Sequence, residues 1–241
     1  MFAGDSFVNS LATTPRAESS FDPAVEHVAR FAKRLYLHPS AVWQQGALAT
    51  LPAHVDLEGL RVNRIVFAET ISEDIRAGRF LEALLRFDNV NDARFRLYEE
   101  AWPIIPEHLR ATCVEGIWTG AHVLPSVRRC LRIVATAPEL AKTIPAHLPE
   151  EVMIYRGVVA SGRRHAIRRL RRMPWTLDAS RADAFARAWG RPGFSGFVGA
   201  ASIRRKDILA YFGSRSEAEV IVNPNGLRDL TICEAMDAQA A

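Results

Sequence analysis

Residues 214–224 read Ser214-Arg215-Ser216-Glu217-Ala218-Glu219-Val220-Ile221-Val222-Asn223-Pro224. The three β-branched residues before an Asn-Pro pair predict a strand over 219–222 that a turn closes. Alternate residues of a strand share a face, so Glu217 and Glu219 project together at its entrance. Like charges so placed repel, and a structural strand start needs only one of them. The pair therefore reads either as a solvated strand entrance or as a chemical site.

On either side of this stretch, short runs rich in β-branched and aromatic residues at 152–155, 175–177, 197–203 and 230–233 predict further strands. Helical patterns lie between them at about 163–172, 180–189 and 205–211, the second carrying Ala182, Phe185 and Ala186 on one face. The glycines between Gly190 and Gly199 do not match G-x-G-x-x-G and read as a turn between strands. Before Pro145 and Pro149 the texture is different. Asp22-Pro23 opens a helix with an N-cap and a first-turn proline, and helical spacing recurs at about 72–87, 91–102, 106–120 and 125–137. The expected architecture is α+β: a flexible arm over 1–21, an all-helical region over 22–149 and a strand-rich module over 150–241.

Of 241 residues, 49% are hydrophobic and 24% charged, which excludes disorder throughout and supplies a sizeable core. No apolar stretch reaches the ~18 residues of a membrane span, and no basic-then-apolar leader opens the chain, so a cytoplasmic protein without membrane contact is the expectation. Three cysteines, far apart, fit neither a disulfide framework nor a zinc spacing, and no metal ligand set is visible. The net charge of +4 is uneven: 16 basic against 18 acidic residues over 1–150, then 15 against 9 over 151–241. Six arginines fall between Arg163 and Arg172 with little aromatic interleaving, which fits a solvated helix face or a surface facing the phosphates of a nucleotide or nucleic acid. His165, alone in that helix, reads as a surface residue.

Two further sites carry chemistry. Tyr155-Arg156-Gly157 ends an apolar run with a fork able to grip a phosphate bidentately, beside a glycine that lets a ligand approach the backbone. Pro174-Trp175-Thr176 offers a hydroxyl able to hold a neighbouring carboxylate, with Trp175 as core in the plainer reading.

In sequence order, Tyr155-Arg156-Gly157, Trp175-Thr176 and Glu217-Ala218-Glu219 resemble the arginine, serine and glutamate signature of toxin-type ADP-ribosyltransferases of the E-x-E, arginine-specific class. They also resemble transferase-like domains of phage and bacterial proteins with a helical region in front. The resemblance covers about residues 150–233. It implies a split β core and an enzyme that moves ADP-ribose from NAD to a protein arginine and releases nicotinamide. It assigns Glu219 as the essential carboxylate, Glu217 as the group that orients and deprotonates the acceptor, and Arg156 as the phosphate clamp. Tyr155, Gly157, Trp175 and Phe185 would line the cofactor site, and the loop from about Tyr211 to Ser216 would recognise the target through Tyr211 and Phe212. The family's usual serine is replaced by Pro174, which has no hydroxyl and no backbone donor, so Thr176 would substitute for it. Two alternatives remain at this point: ADP-ribosylation of nucleic acid, and a silent module that keeps the fold to bind a partner.

Overall fold

A computed structural model describes residues 22–35, 43–44, 47–48, 57–87, 92–119, 124–188, 192–213 and 218–235. The arm at 1–21, Glu217 and the preceding 214–216 lie outside the described residues.

The N-terminal region holds α1 (Pro23–Leu35), α2 (Leu57–Arg76), α3 (Phe80–Leu85), α4 (Ala93–Ala101), α5 (Glu107–Trp118) and α6 (Val127–Ala135), followed by a 3-10 turn over Pro138–Thr143. Asp22 caps α1 as its sequence position requires, its carboxylate accepting from the Ala24 N–H at 2.9 Å. The region is not all-helical: Trp43–Gln44 (β1) and Ala47–Leu48 (β2) pair antiparallel. The pattern at 72–87 is two helices, because Gly78 takes a φ of +74° that ends the first and turns the chain into the second. Asp74 fastens that corner, accepting from Arg79 Nε at 3.0 Å, Arg79 Nη2 at 2.7 Å and Arg86 Nε at 2.5 Å.

The C-terminal module is one antiparallel sheet of six strands: β3 (Glu151–Ala160), β4 (Pro174–Thr176), β5 (Ser195–Arg204), β6 (Ile208–Phe212), β7 (Glu219–Val222) and β8 (Arg228–Glu234), in the order β6-β7-β4-β3-β5-β8. Helix α7 (Arg163–Leu170) connects β3 to β4, and α8 (Ala179–Ala188) connects β4 to β5. Of the helical pattern expected over 205–211, only Arg205–Asp207 forms a single 3-10 turn, and the remainder belongs to β6. Ile208, Ala210 and Phe212 are buried in alternation along β6, and its pairing with β7 decides an apolar run whose periodicity alone is ambiguous.

The two halves of the sheet meet at one registered pair. β3 pairs with β5 along its whole length, but with β4 only at Tyr155↔Thr176. Helices cover the two faces through glycines. A Cβ on Gly157 would lie 1.9 Å from the Ala182 carbonyl oxygen, and one on Gly196 would lie 2.4 Å from that of Ala186, so α8 packs against backbone there. On the other face Leu170 of α7 fills the space above Gly199.

The far edge of the sheet shares a core with the helical region. Met173, Ala210, Phe212 and Ile221 join Trp118, Ile133 and Leu140 in one buried cluster, and the Phe212 ring meets Trp118 at 6.5 Å. The Tyr211 N–H donates to Thr143 Oγ1 at 2.8 Å, tying β6 to the 3-10 turn. Among the described residues no helix is long and apolar enough to cross a membrane.

Candidate functional site

The pairing of β7 with β4 sets Glu219 directly opposite Thr176, and the same row continues to Tyr155 on one side and Phe212 on the other. Residues opposed across antiparallel strands share a face, so the alcohol and the acid of the sequence motif stand side by side. Thr176 is 6% exposed. Its hydroxyl accepts from the Asp178 N–H at 3.1 Å, while Asp178 in turn caps α8 by accepting from the Ser180 N–H at 2.8 Å. On this face the helical region covers β6 and α8 covers β3 and β5, so Thr176 and Glu219 occupy the strip between them. Ala218, just before the acid, has a φ of +45°, a left-handed value that a residue with a Cβ rarely takes. That kink sets where the strand, and with it Glu219, begins.

Arg156 follows Tyr155 on β3 and so starts on the opposite face, in register with Gly199 beneath α7. Its guanidinium crosses the seam between the half-sheets, where Nη1 donates to the Pro174 carbonyl oxygen. Burial pulls its pKa down to about 10, opposed by the nearby Glu219 carboxylate and reinforced by the positive charges of Arg172 and Arg169. Its Nε is buried without a hydrogen-bond partner. A buried N–H without an acceptor costs about 1–3 kcal/mol, so the group is suited to an anion that supplies one. The three groups are thus gathered around the seam, Thr176 at it and Glu219 one strand away, with the arginine starting from one face and the alcohol and acid from the other.

Several expected site residues have other tasks. Trp175 is 2% exposed, and its Nε1 donates to the Arg172 carbonyl at 2.9 Å; it is a core anchor with its polar tip satisfied, not a cofactor contact. Gly157 is required by the backbone of α8, which occupies the space expected for a ligand. Phe185 does not share the buried face of Ala182 and Ala186; it is 43% exposed on the outer side of α8. Phe212, 3% exposed in the shared core, is closed to a macromolecular target, and Tyr211 next to it in β6 is half-buried. Tyr155 is half-buried in the row with Thr176 and Glu219.

Sequence reasoning missed the neighbours of Arg156. Arg169 and Arg172 add charge around its guanidinium, a grouping that only the return of the chain from α7 to β4 creates. Among the described residues no group of three or more His, Cys, Asp or Glu side chains is placed to hold a metal ion. No protein-family model, curated protein or solved structure matches the chain.

Proposed function

We propose that this chain is an NAD-dependent mono-ADP-ribosyltransferase of the toxin type, with a protein arginine as acceptor. The observation that carries the reading is the direct opposition of Thr176 and Glu219 beside the seam that the Arg156 guanidinium spans. Around it the module has an α+β architecture with a helical region packed against one edge of its sheet.

Breaking the bond between nicotinamide and ribose leaves the electron pair on nicotinamide and builds positive charge on the sugar. Glu219, held beside Thr176, would stabilise a charge that exists only at the top of the barrier. Arg156, with a buried N–H lacking an acceptor, would take a phosphate oxygen of the dinucleotide. Glu217 would accept the proton that the attacking guanidine nitrogen releases as its bond to the sugar carbon forms.

The test is incubation of the purified chain with labelled NAD and a protein extract, followed by mass spectrometry of the labelled products. Wild type is expected to label arginines, and Glu219→Gln to lower the rate by about 10²-fold or more with the fold retained. Equal labelling by both forms would remove the assignment. A second reading, a silent binding module, is favoured by Pro174, whose carbonyl engages Arg156 where the signature expects a serine. It predicts no nicotinamide release from either form.

A further inference from the structure

Between Glu151 and Asp178 the chain carries seven arginines and no acidic residue. Three of them donate to backbone carbonyls, although Arg169 and Arg172 remain exposed. Arg156 spans the seam, Arg169 donates to the Val159 carbonyl, and Arg172 reaches the Pro125 carbonyl of the helical region at 3.5 Å. The other four, Arg163, Arg164, Arg168 and Arg171, are exposed on and just after α7, whose inner face is Ala166 and Leu170. Their guanidinium groups have no hydrogen-bond or ion-pair partner among the described residues.

Folding also brings an aromatic pair to this helix. Phe194, just before β5 and 41% exposed, meets the His165 ring edge-on at 6.4 Å. The imidazole is fixed by Ser161, whose N–H donates to Nδ1 at 3.4 Å and whose hydroxyl lies 3.1 Å from the same nitrogen. The Arg-rich segment itself has little aromatic interleaving. The ring is supplied from beyond α8, by a residue that reaches α7 only through the fold.

We infer that the outer face of α7, with Phe194 and His165 at its side, is a docking surface for single-stranded nucleic acid. Charge complementarity supplies the first argument: four guanidinium groups without an acidic partner among the described residues match a row of phosphates, and planar forks grip phosphate oxygens in pairs. The exposed aromatic supplies the second, because unpaired bases stack on such rings while a duplex keeps its base faces to itself. This surface is independent of the NAD reading, and its test contains no NAD.

The experiment is fluorescence anisotropy of the full chain with a labelled oligothymidylate single strand over a salt series. Binding is expected to weaken with salt, with a log–log slope of about 3 if four phosphates are neutralised. Replacing Arg163, Arg164, Arg168 and Arg171 together by Gln should remove most of that slope. Phe194→Ala should weaken the single strand about tenfold and leave the slope in place. Circular dichroism checks that both variants fold, as exposed positions allow. No binding at low salt, equal binding of polyglutamate, tighter binding of a duplex, or indifference to both variants would each overturn the inference.

Discussion

Thr176 on β4 lies directly opposite Glu219 on β7, in a row that includes Tyr155 on β3. The Tyr155↔Thr176 pair is also the one registered link between the two half-sheets, so the acid sits one strand from the seam. The placement follows from strand register, which a one-residue slip would reverse by turning Glu219 to the other face.

If the alcohol positions the acid, its hydroxyl matters more than its shape. Thr176→Val keeps the β-branched outline but removes the acceptor of the Asp178 N–H. It is expected to cost about 1–2 kcal/mol in urea unfolding and to lower nicotinamide release at least tenfold. Thr176→Ser should restore most of that rate. Equal rates in the Val and Ser variants would limit Thr176 to packing.

Arg156 is expected to separate stability from ligand binding. Arg156→Met keeps much of the length of the side chain while removing a desolvated charge and the partnerless Nε. Replacing a buried charge by an apolar side chain is often neutral or stabilising, so the unfolding midpoint should hold or rise. NAD affinity by calorimetry should fall about tenfold or more, because a charge-assisted contact contributes roughly 1.5–3 kcal/mol. A lower midpoint with unchanged affinity would make the residue a stitch between half-sheets and nothing more.

The strands at 152–155, 175–177, 197–203, 219–222 and 230–233 are legible in the sequence because β-branched runs between turn residues have few other uses. β6 is not, because an apolar run of five residues fits helix or strand until β7 pairs with it. The Thr176–Glu219 opposition is half legible: the motif names both residues, but their register depends on pairing that no local pattern encodes. The neighbours of Arg156 and the approach of Phe194 to His165 are tertiary, and neither has a sequence signal. Gly157 is the converse case, a glycine that the motif gives to a ligand and whose space a helix backbone takes.

The role of Gly157 has a direct check. Gly157→Ala would set a Cβ 1.9 Å from the Ala182 oxygen and 2.6 Å from the Ala186 nitrogen, both backbone atoms of α8 that cannot rotate away. The helix must shift, at about 3 kcal/mol, which should lower Tm by roughly 6–12 °C in calorimetry. An unchanged Tm would mean that α8 does not pack this closely.

Asp74 makes a prediction about acid stability in the helical region. Arg86 and Arg79 hydrogen-bond its buried carboxylate and hold its pKa below the ordinary 3.8 despite the opposing effect of burial. With the folded value depressed, the stabilisation is present in full above the unfolded value and is lost as pH falls through the folded one. Asp74→Asn should therefore destabilise the chain at neutral pH, by about 2 kcal/mol for the loss of charge-assisted bonds to arginines that reach solvent. As pH falls from the ordinary carboxylate value through the depressed folded one, the two proteins should converge in urea unfolding, since the wild-type carboxyl becomes protonated as well. A gap that stays constant over that whole range would show that the corner depends on shape and not on the charge of Asp74.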